Sequence, residues 1–306
     1  MPGGAQESRS SSKGGIAAVA GSYARAMRPR HWVKNVLVAA VPLAAGRLFD
    51  ADVLPPIAIA FVAFCLASSA VYLVNDVCDV AADRAHPTKR LRPIAVGEVS
   101  PRGAIVLAIA LMLASLSITW LVSPEMTALI GTYLGISAAY SLGLKHQPVI
   151  DIAIVASGFV LRAVAGGVAA DLEISQWFVM TAAFGSLFIV AGKRFSEVLL
   201  VGEGAATSRQ SLAGYTVGYL RFVWTLAATI TVATYALWAF EMQSGSSRTV
   251  LLQLSIVPFL LGLLRYAVDI EHGRAGEPED IVLGDRALQA IGAAWLVLFM
   301  VGIAFD

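Results

Sequence analysis

Residues 74–97 read VNDVCDVAADRAHPTKRLRPIAVG, and they follow directly on an apolar run that starts at Val53. Within that short stretch lie three aspartates (Asp76, Asp79, Asp83) and four basic residues (Arg84, Lys89, Arg90, Arg92). Asn75, Asp79 and Asp83 recur at i, i+4 and i+8, which on a continuous helix places them within roughly 80° of one another; on that reading Asp76 points elsewhere. The macrodipole already puts negative charge at a helix C-terminus, so acids there work against local stability. Three oxygen donors on one stripe therefore need a cation between them. Oxygen donors without His or Cys suit Mg²⁺, which takes one or two carboxylates and completes its shell with water and phosphate oxygens. The bases that follow, in a loop shaped by Pro87 and Pro93, supply the positive-inside anchor of the next span, and beside a metal they also suit a diphosphate.

The surrounding composition makes this a membrane protein. The chain has 306 residues, 58% hydrophobic and only 14% charged, with mean hydropathy +0.74. Soluble domains carry about 25% charged residues. The net charge of +1 gives no footprint for nucleic acid. Cys65 and Cys78 offer neither a disulfide framework nor metal spacing.

Windows of about 20 apolar residues give nine expected spans: Val33–Leu48, Val53–Val77, Gly103–Val122, Glu125–Leu142, Val149–Ala170, Trp177–Val198, Tyr219–Phe240, Val250–Val268 and Ala287–Phe305. The first is short and interrupted by Pro42. Residues 1–24 are expected to be a disordered cytoplasmic tail, and residues 25–306 one transmembrane domain. Lys and Arg gather on one side of this layout, leaving only Arg47 and Arg248 on the other. That asymmetry predicts a cytoplasmic N-terminus and working face, with the C-terminus outside.

The stretch NDVCDVAADRAHPTKRLRPIAVG resembles the N-D-x-x-D-x-x-x-D signature of the UbiA superfamily of intramembrane transferases. RPRHWVKN (28–35) resembles its first cytoplasmic motif, and YSLGLKH (140–146) its mid-chain Y-S-x-x-L-K motif. The similarity extends from about Arg28 to the end of the chain. It implies an all-α bundle of nine transmembrane helices around a cytoplasm-facing cavity open to the lipid of a cell membrane.

Within that family the chain is most similar to the branch that serves actinobacterial cell-wall arabinan synthesis. That likeness implies Mg²⁺-dependent transfer of 5-phosphoribose from 5-phosphoribosyl 1-diphosphate (PRPP) to polyprenyl (decaprenyl) phosphate. One feature of the residues points the same way. Prenyltransferases of the family carry a second Asp-rich motif, and here that region reads GKRFSE (192–197), with Lys193 and Arg194 facing Glu197. A substrate pair with three phosphate-bearing groups needs that extra positive charge.

By the same resemblance, Asn75, Asp79 and Asp83 hold Mg²⁺ on the leaving diphosphate. Lys34, Lys89, Arg90, Arg92, Lys145, Lys193 and Arg194 hold phosphates, and Asp151 or Glu197 stabilises the cationic ribose carbon. His146 is either a phosphate contact or a surface histidine, and Arg162 either an ion-pair member or a substrate contact. Gly166 and Gly167 are expected to permit close helix packing, Trp32, Trp177 and Trp238 to lie in interfacial belts, and residues 277–280, with Asp285 and Arg286, to form a polar loop before the ninth span, either solvated or gating the cavity. Two other functions stay open: prenyl transfer onto an aromatic acceptor, and transport of phosphorylated metabolites. Self-association is also left open.

Overall fold

The computed structural model describes residues 18–202, 212, 214–242, 249–276 and 278–303. The first 17 residues of the expected tail, along with Arg209, Arg248 and Glu277, lie outside them. Among the described residues there are helices and no strands. The chain divides into two compact units: residues up to Val36 with Ile59–Leu142, and Leu37–Ala58 with residues from Gly143 onward.

The first unit begins with α1 (residues 18–26), followed by a 3₁₀ helix, Pro29–Ala39, which runs on into the second unit. Its remaining helices are α3 (Leu54–Cys78, from Ile59), α4 (Val80–Ala85), α5 (Pro101–Trp120) and α6 (Pro124–Leu142). Ala60, Ala63, Ala67 and Ala70 recur at three- and four-residue spacing on α3, and all have no exposed surface. Such small residues let helices approach closely where lipid provides no hydrophobic drive to associate. Leu73, Ile94, Val99, Ala104 and Ala108 close the core beneath the motif loop. Helix α5 starts where Ser100 accepts the Gly103 N–H at 3.1 Å, with Pro101 in its first turn.

The second unit holds α2 (Ala40–Ala44), α7 (Ile150–Ala169), α8 (Gln176–Gly202), α9 (Val217–Glu241), α10 (Thr249–Glu271), α11 (Pro278–Gly284) and α12 (Arg286–Ile303). Gly166 and Gly167 do permit close packing. A Cβ on Gly166 would lie 1.8 Å from the Val38 carbonyl oxygen, and one on Gly167 2.8 Å from the Ile174 side chain. Trp238 is 4% exposed and stacks on Tyr235 and Phe299, so it belongs to a buried aromatic core and not to an interfacial belt. Trp32 has a specific partner too, donating to Ser69 Oγ at 3.0 Å.

Seven helices among the described residues are long and apolar enough to cross a membrane: α3, α5, α7, α8, α9, α10 and α12. Exposed Val106, Leu113 and Trp120 on α5 suit a lipid-facing surface. The chain is thus a multi-pass membrane protein. The expected first span, Val33–Leu48, is instead 3₁₀ helix followed by the five-residue α2, with Lys34 and buried Asn35 breaking its apolar run. Helix α6 stands where the fourth span was expected but is not among the seven, because Glu125 in its first turn and the polar Thr127, Thr132, Ser137, Tyr140 and Ser141 dilute it. Residues 18–24 are helical, so the expected disordered tail does not reach that far.

Candidate active site

The acid cluster of the first unit forms where α3 gives way to α4. At Asp79 the backbone leaves α-helical geometry (φ −96°, ψ 4°), and α4 restarts at Val80. Asn75 Nδ2 donates to Asp79 Oδ2 at 3.1 Å, while Asn75 Oδ1 is buried with no hydrogen-bond partner. Asp83, expected beside these two, accepts at Oδ2 from Arg92 Nη1 at 2.6 Å.

The same Arg92 nitrogen lies 3.1 Å from Oδ1 of Asp76, whose other neighbour is Arg28, with Nη2 at 2.5 and 2.8 Å from the two carboxylate oxygens. Two buried carboxylates and two guanidiniums thus balance one another. Removing one partner from such a buried set costs about 3–5 kcal/mol. Arg28 reaches this position from a left-handed backbone (φ 55°), and its guanidinium lies 5.0 Å over the Tyr72 ring. Left-handed φ is uncommon outside glycine and clusters at functional sites.

The loop after α4 is tied down locally. Arg84 Nε donates to the Ala95 carbonyl at 3.0 Å. His86 Nδ1 accepts the backbone N–H groups of Thr88 and Lys89 at 3.2 and 3.3 Å, which fixes the neutral ring's proton on Nε2. Burial, with the Lys89 charge close by, holds the His86 pKa below the ordinary histidine value. Lys89 and Arg92 are half-buried, Arg90 is exposed, and Lys34 is half-buried on the 3₁₀ helix. Glu98 pairs with Arg25 and accepts from Ser22 Oγ at 2.9 Å, joining α1 to the same loop.

In the second unit Arg194 on α8 meets Asp151 in the first turn of α7 (Nε–Oδ2 2.7 Å, Nη2–Oδ1 3.1 Å). Its Nη1 reaches Glu197 Oε2 at 3.0 Å, one turn along α8 as expected. Asp151 has no exposed surface and Arg194 only 3%. This geometry replaces two expectations: Arg194 is engaged by acids rather than open to phosphate, and both Asp151 oxygens face Arg194. Glu197, with 26% of its side chain exposed, is the acid of this group within reach of solvent. Lys193 is half-buried, and Arg162, 8% exposed, donates to the Gly158 carbonyl at 2.7 Å beside the Phe159 ring.

Half-buried Lys145 and exposed His146 sit on a 3₁₀ turn just before α7. Between them and Asp151 comes Val149 at φ 69°, ψ −51°, with the Ile150 N–H bonded to the Pro148 carbonyl at 2.8 Å. This is a γ-turn of the positive-φ kind, rare for any residue and strained for a β-branched one, at about 1–3 kcal/mol. Residues 278–284 form α11 rather than a plain loop. Asp285 then starts α12, accepting the Ala287 N–H at 2.8 Å and Arg265 Nε at 2.6 Å. The Arg265 bond holds the Asp285 pKa below the usual carboxylate range.

Among the described residues no three His, Cys, Asp or Glu side chains gather closely enough to hold a metal ion. Of the expected trio, Asn75 and Asp79 are bonded to each other while Asp83 is engaged by Arg92. The oxygen chemistry of Asn75 and Asp79 still fits a hard cation, and the orphaned Asn75 Oδ1 is a buried acceptor lacking a donor. A Mg²⁺ ion commonly binds one or two protein oxygens and takes the rest of its shell from substrate phosphates and water.

Sequence reasoning missed Asp76, Arg28 and Tyr215, whose hydroxyl accepts the Val149 N–H at 2.7 Å. Asp76 was legible: it lies seven residues before Asp83, a separation of only about 20° around a helix. Arg28 stood inside a recognised motif but counted only as an inside charge. Tyr215, 66 residues from its partner, gives no local signal.

These features can be set beside known proteins. The chain is 51% identical over 287 residues to decaprenyl-phosphate phosphoribosyltransferase of Mycobacterium tuberculosis, covering 92% of this chain and 94% of that protein. It is 50% identical over 293 residues to the protein of the same name from Mycolicibacterium smegmatis, covering 92% of each. A UbiA homolog from Archaeoglobus fulgidus, solved bound to GPP and Mg²⁺, shares the fold with a TM-score of 0.71 at 18% identity, over 92% of this chain and 98% of that one. The sequence profile that matches residues 35–281 spans the Asp-rich segment, the Lys145 turn and the Asp151–Arg194 pair, and by that match the chain belongs to the UbiA prenyltransferase family.

Proposed function

We propose that this protein transfers 5-phosphoribose from PRPP to a polyprenyl phosphate, decaprenyl phosphate first among them, and releases diphosphate. The observation that carries this reading is identity of about half, over nearly the full length, with decaprenyl-phosphate phosphoribosyltransferases. Lys193, in the region where an acidic motif serves a prenyl diphosphate in other family members, supports it. We place the enzyme in the cell membrane, with its N-terminus and Asp-rich segment on the cytoplasmic side, where PRPP is available.

In the reaction the bond from ribose C1 to the diphosphate oxygen breaks, and an oxygen of the lipid phosphate bonds to C1. The lipid phosphate is an oxyanion at neutral pH, so no general base is required. Positioning and charge neutralisation carry the rate. Asn75 and Asp79 hold Mg²⁺, which supplies Lewis-acid neutralisation of the departing charge. Asp76 and Asp83 orient Arg28 and Arg92, and Lys34, Lys89 and Arg90 add positive charge for phosphate oxygens. In the second unit Lys145 and Lys193 bind phosphate, Asp151 holds Arg194, and Glu197 faces the cationic carbon.

The test offers labelled PRPP and decaprenyl phosphate to the reconstituted protein with Mg²⁺, in parallel with a prenyl diphosphate and 4-hydroxybenzoate. The expected result is label in the organic phase, lost on chelation and in Asp79→Asn. Prenylated 4-hydroxybenzoate, with the phosphoribosyl label left in water, would overturn the proposal.

A further inference from the structure

We infer that Tyr215 and Gly214, on the segment entering α9, clamp the γ-turn at Val149 and thereby position Lys145 and the Asp151–Arg194 pair; the inference builds on the phosphate roles proposed above. Tyr215 is 5% exposed, its hydroxyl accepts the Val149 N–H at 2.7 Å, and its ring stacks on Tyr219 at 6.0 Å. Gly214 lies so close to Pro148 that a Cβ there would stand 2.3 Å from Pro148 Cγ. The turn is thus held by a hydrogen bond and by a close contact from two adjacent residues of one segment.

A γ-turn reverses the chain within three residues. The angle at Val149 therefore sets the direction in which Lys145 and His146 leave the start of α7. A valine left to itself relaxes to negative φ. The buried hydroxyl opposes that relaxation by satisfying the amide only in the strained form. Burial also pushes the Tyr215 pKa up, so the phenol stays protonated at working pH. Tyr215 is a positioning residue, acting through the turn and not on substrate.

The variant Tyr215→Phe removes the acceptor and little volume. It is expected to raise the KM for PRPP about tenfold, the scale of one lost hydrogen bond, while kcat changes less than about twofold. Adding Val149→Gly is expected to restore the KM, because glycine adopts this φ without strain. Gly214→Ala, which pushes Pro148 away, gives the same KM signature by an independent route. Hydrogen exchange across residues 145–153 reads the clamp without any activity: it is expected to quicken in Tyr215→Phe and return toward the parent rate in the double variant. Unchanged exchange and KM in Tyr215→Phe, or no recovery with Val149→Gly, would overturn the inference. A parent protein without phosphoribosyl transfer would sink the proposed function instead, and the exchange measurements would still decide the clamp.

Discussion

Arg194 holds Asp151 through two nitrogens, at 2.7 and 3.1 Å, in a position where the aspartate has no exposed surface. A buried pair of this kind is expensive to break and unremarkable to keep. Loss of Arg194 leaves the Asp151 carboxylate buried without that guanidinium and costs about 3–5 kcal/mol, loss of Asp151 leaves Arg194 with Glu197, and loss of both together costs less. Asp151→Asn and Arg194→Met are therefore each expected to lower the unfolding temperature in detergent sharply. The double variant should lie above the sum of the two, and sum-like behaviour would show the pair to be uncoupled. Arg194→Lys should recover little, since an ammonium cannot span both carboxylate oxygens.

The two aspartates on either side of Cys78 are expected to behave differently. Asp76 is 2% exposed and bonded by Arg28 and Arg92, so Asp76→Asn should lower stability by about 3–5 kcal/mol and activity with it. Asp79 is half-buried and next to the orphaned Asn75 oxygen, so Asp79→Asn should abolish transfer while shifting the unfolding temperature little. Thermal melts and transfer rates measured on the same preparations decide it. Equal destabilisation by both substitutions would remove the division of labour.

That division shows how far the sequence could be read. Seven of the expected spans were legible because each is an apolar run of membrane length, and their observed helix ends fall close to the expected ones. The Asp-rich segment stood out as a candidate site because acids at a helix end need a reason. Its internal geometry was not, since the stripe from Asn75 to Asp83 assumes an unbroken helix and the backbone departs from one at Asp79. Pairings across long separations, Arg28 with Asp76 or Tyr215 with Val149, leave no trace in local periodicity. Arg194 illustrates a further limit: composition marks a basic group but not whether an acid elsewhere already claims it.

His86 makes the loop after α4 sensitive to pH. Its Nδ1 accepts two backbone N–H groups and can do so only in the neutral ring. The pKa is lowered in the folded protein, so the folded state binds fewer protons than the unfolded one near it. The contribution to stability is therefore fully present above about pH 6.5, the ordinary histidine value, and is lost as pH falls through the lower folded value. Amide exchange at Thr88 and Lys89, corrected for its intrinsic pH dependence, should accelerate on acidification below the ordinary histidine value. His86→Asn should flatten the profile, and an unchanged profile in that variant would place the sensitivity elsewhere.

Gly166 offers a test of packing with its own control. A Cβ at that position would lie 1.8 Å from the Val38 carbonyl oxygen, a backbone atom that cannot turn aside as a side chain can. Gly166→Ala must push residues 38–42 off α7, and overpacking of this kind costs about 1–3 kcal/mol. Gly131 on α6 has nothing within 4 Å of the same added atom, so Gly131→Ala gains helix propensity, by about 0.8–1.0 kcal/mol, at no steric cost. Thermal unfolding of the two variants in one detergent should move in opposite directions. A Gly166→Ala protein as stable as its parent would mean that α7 and the segment around Val38 do not pack this closely.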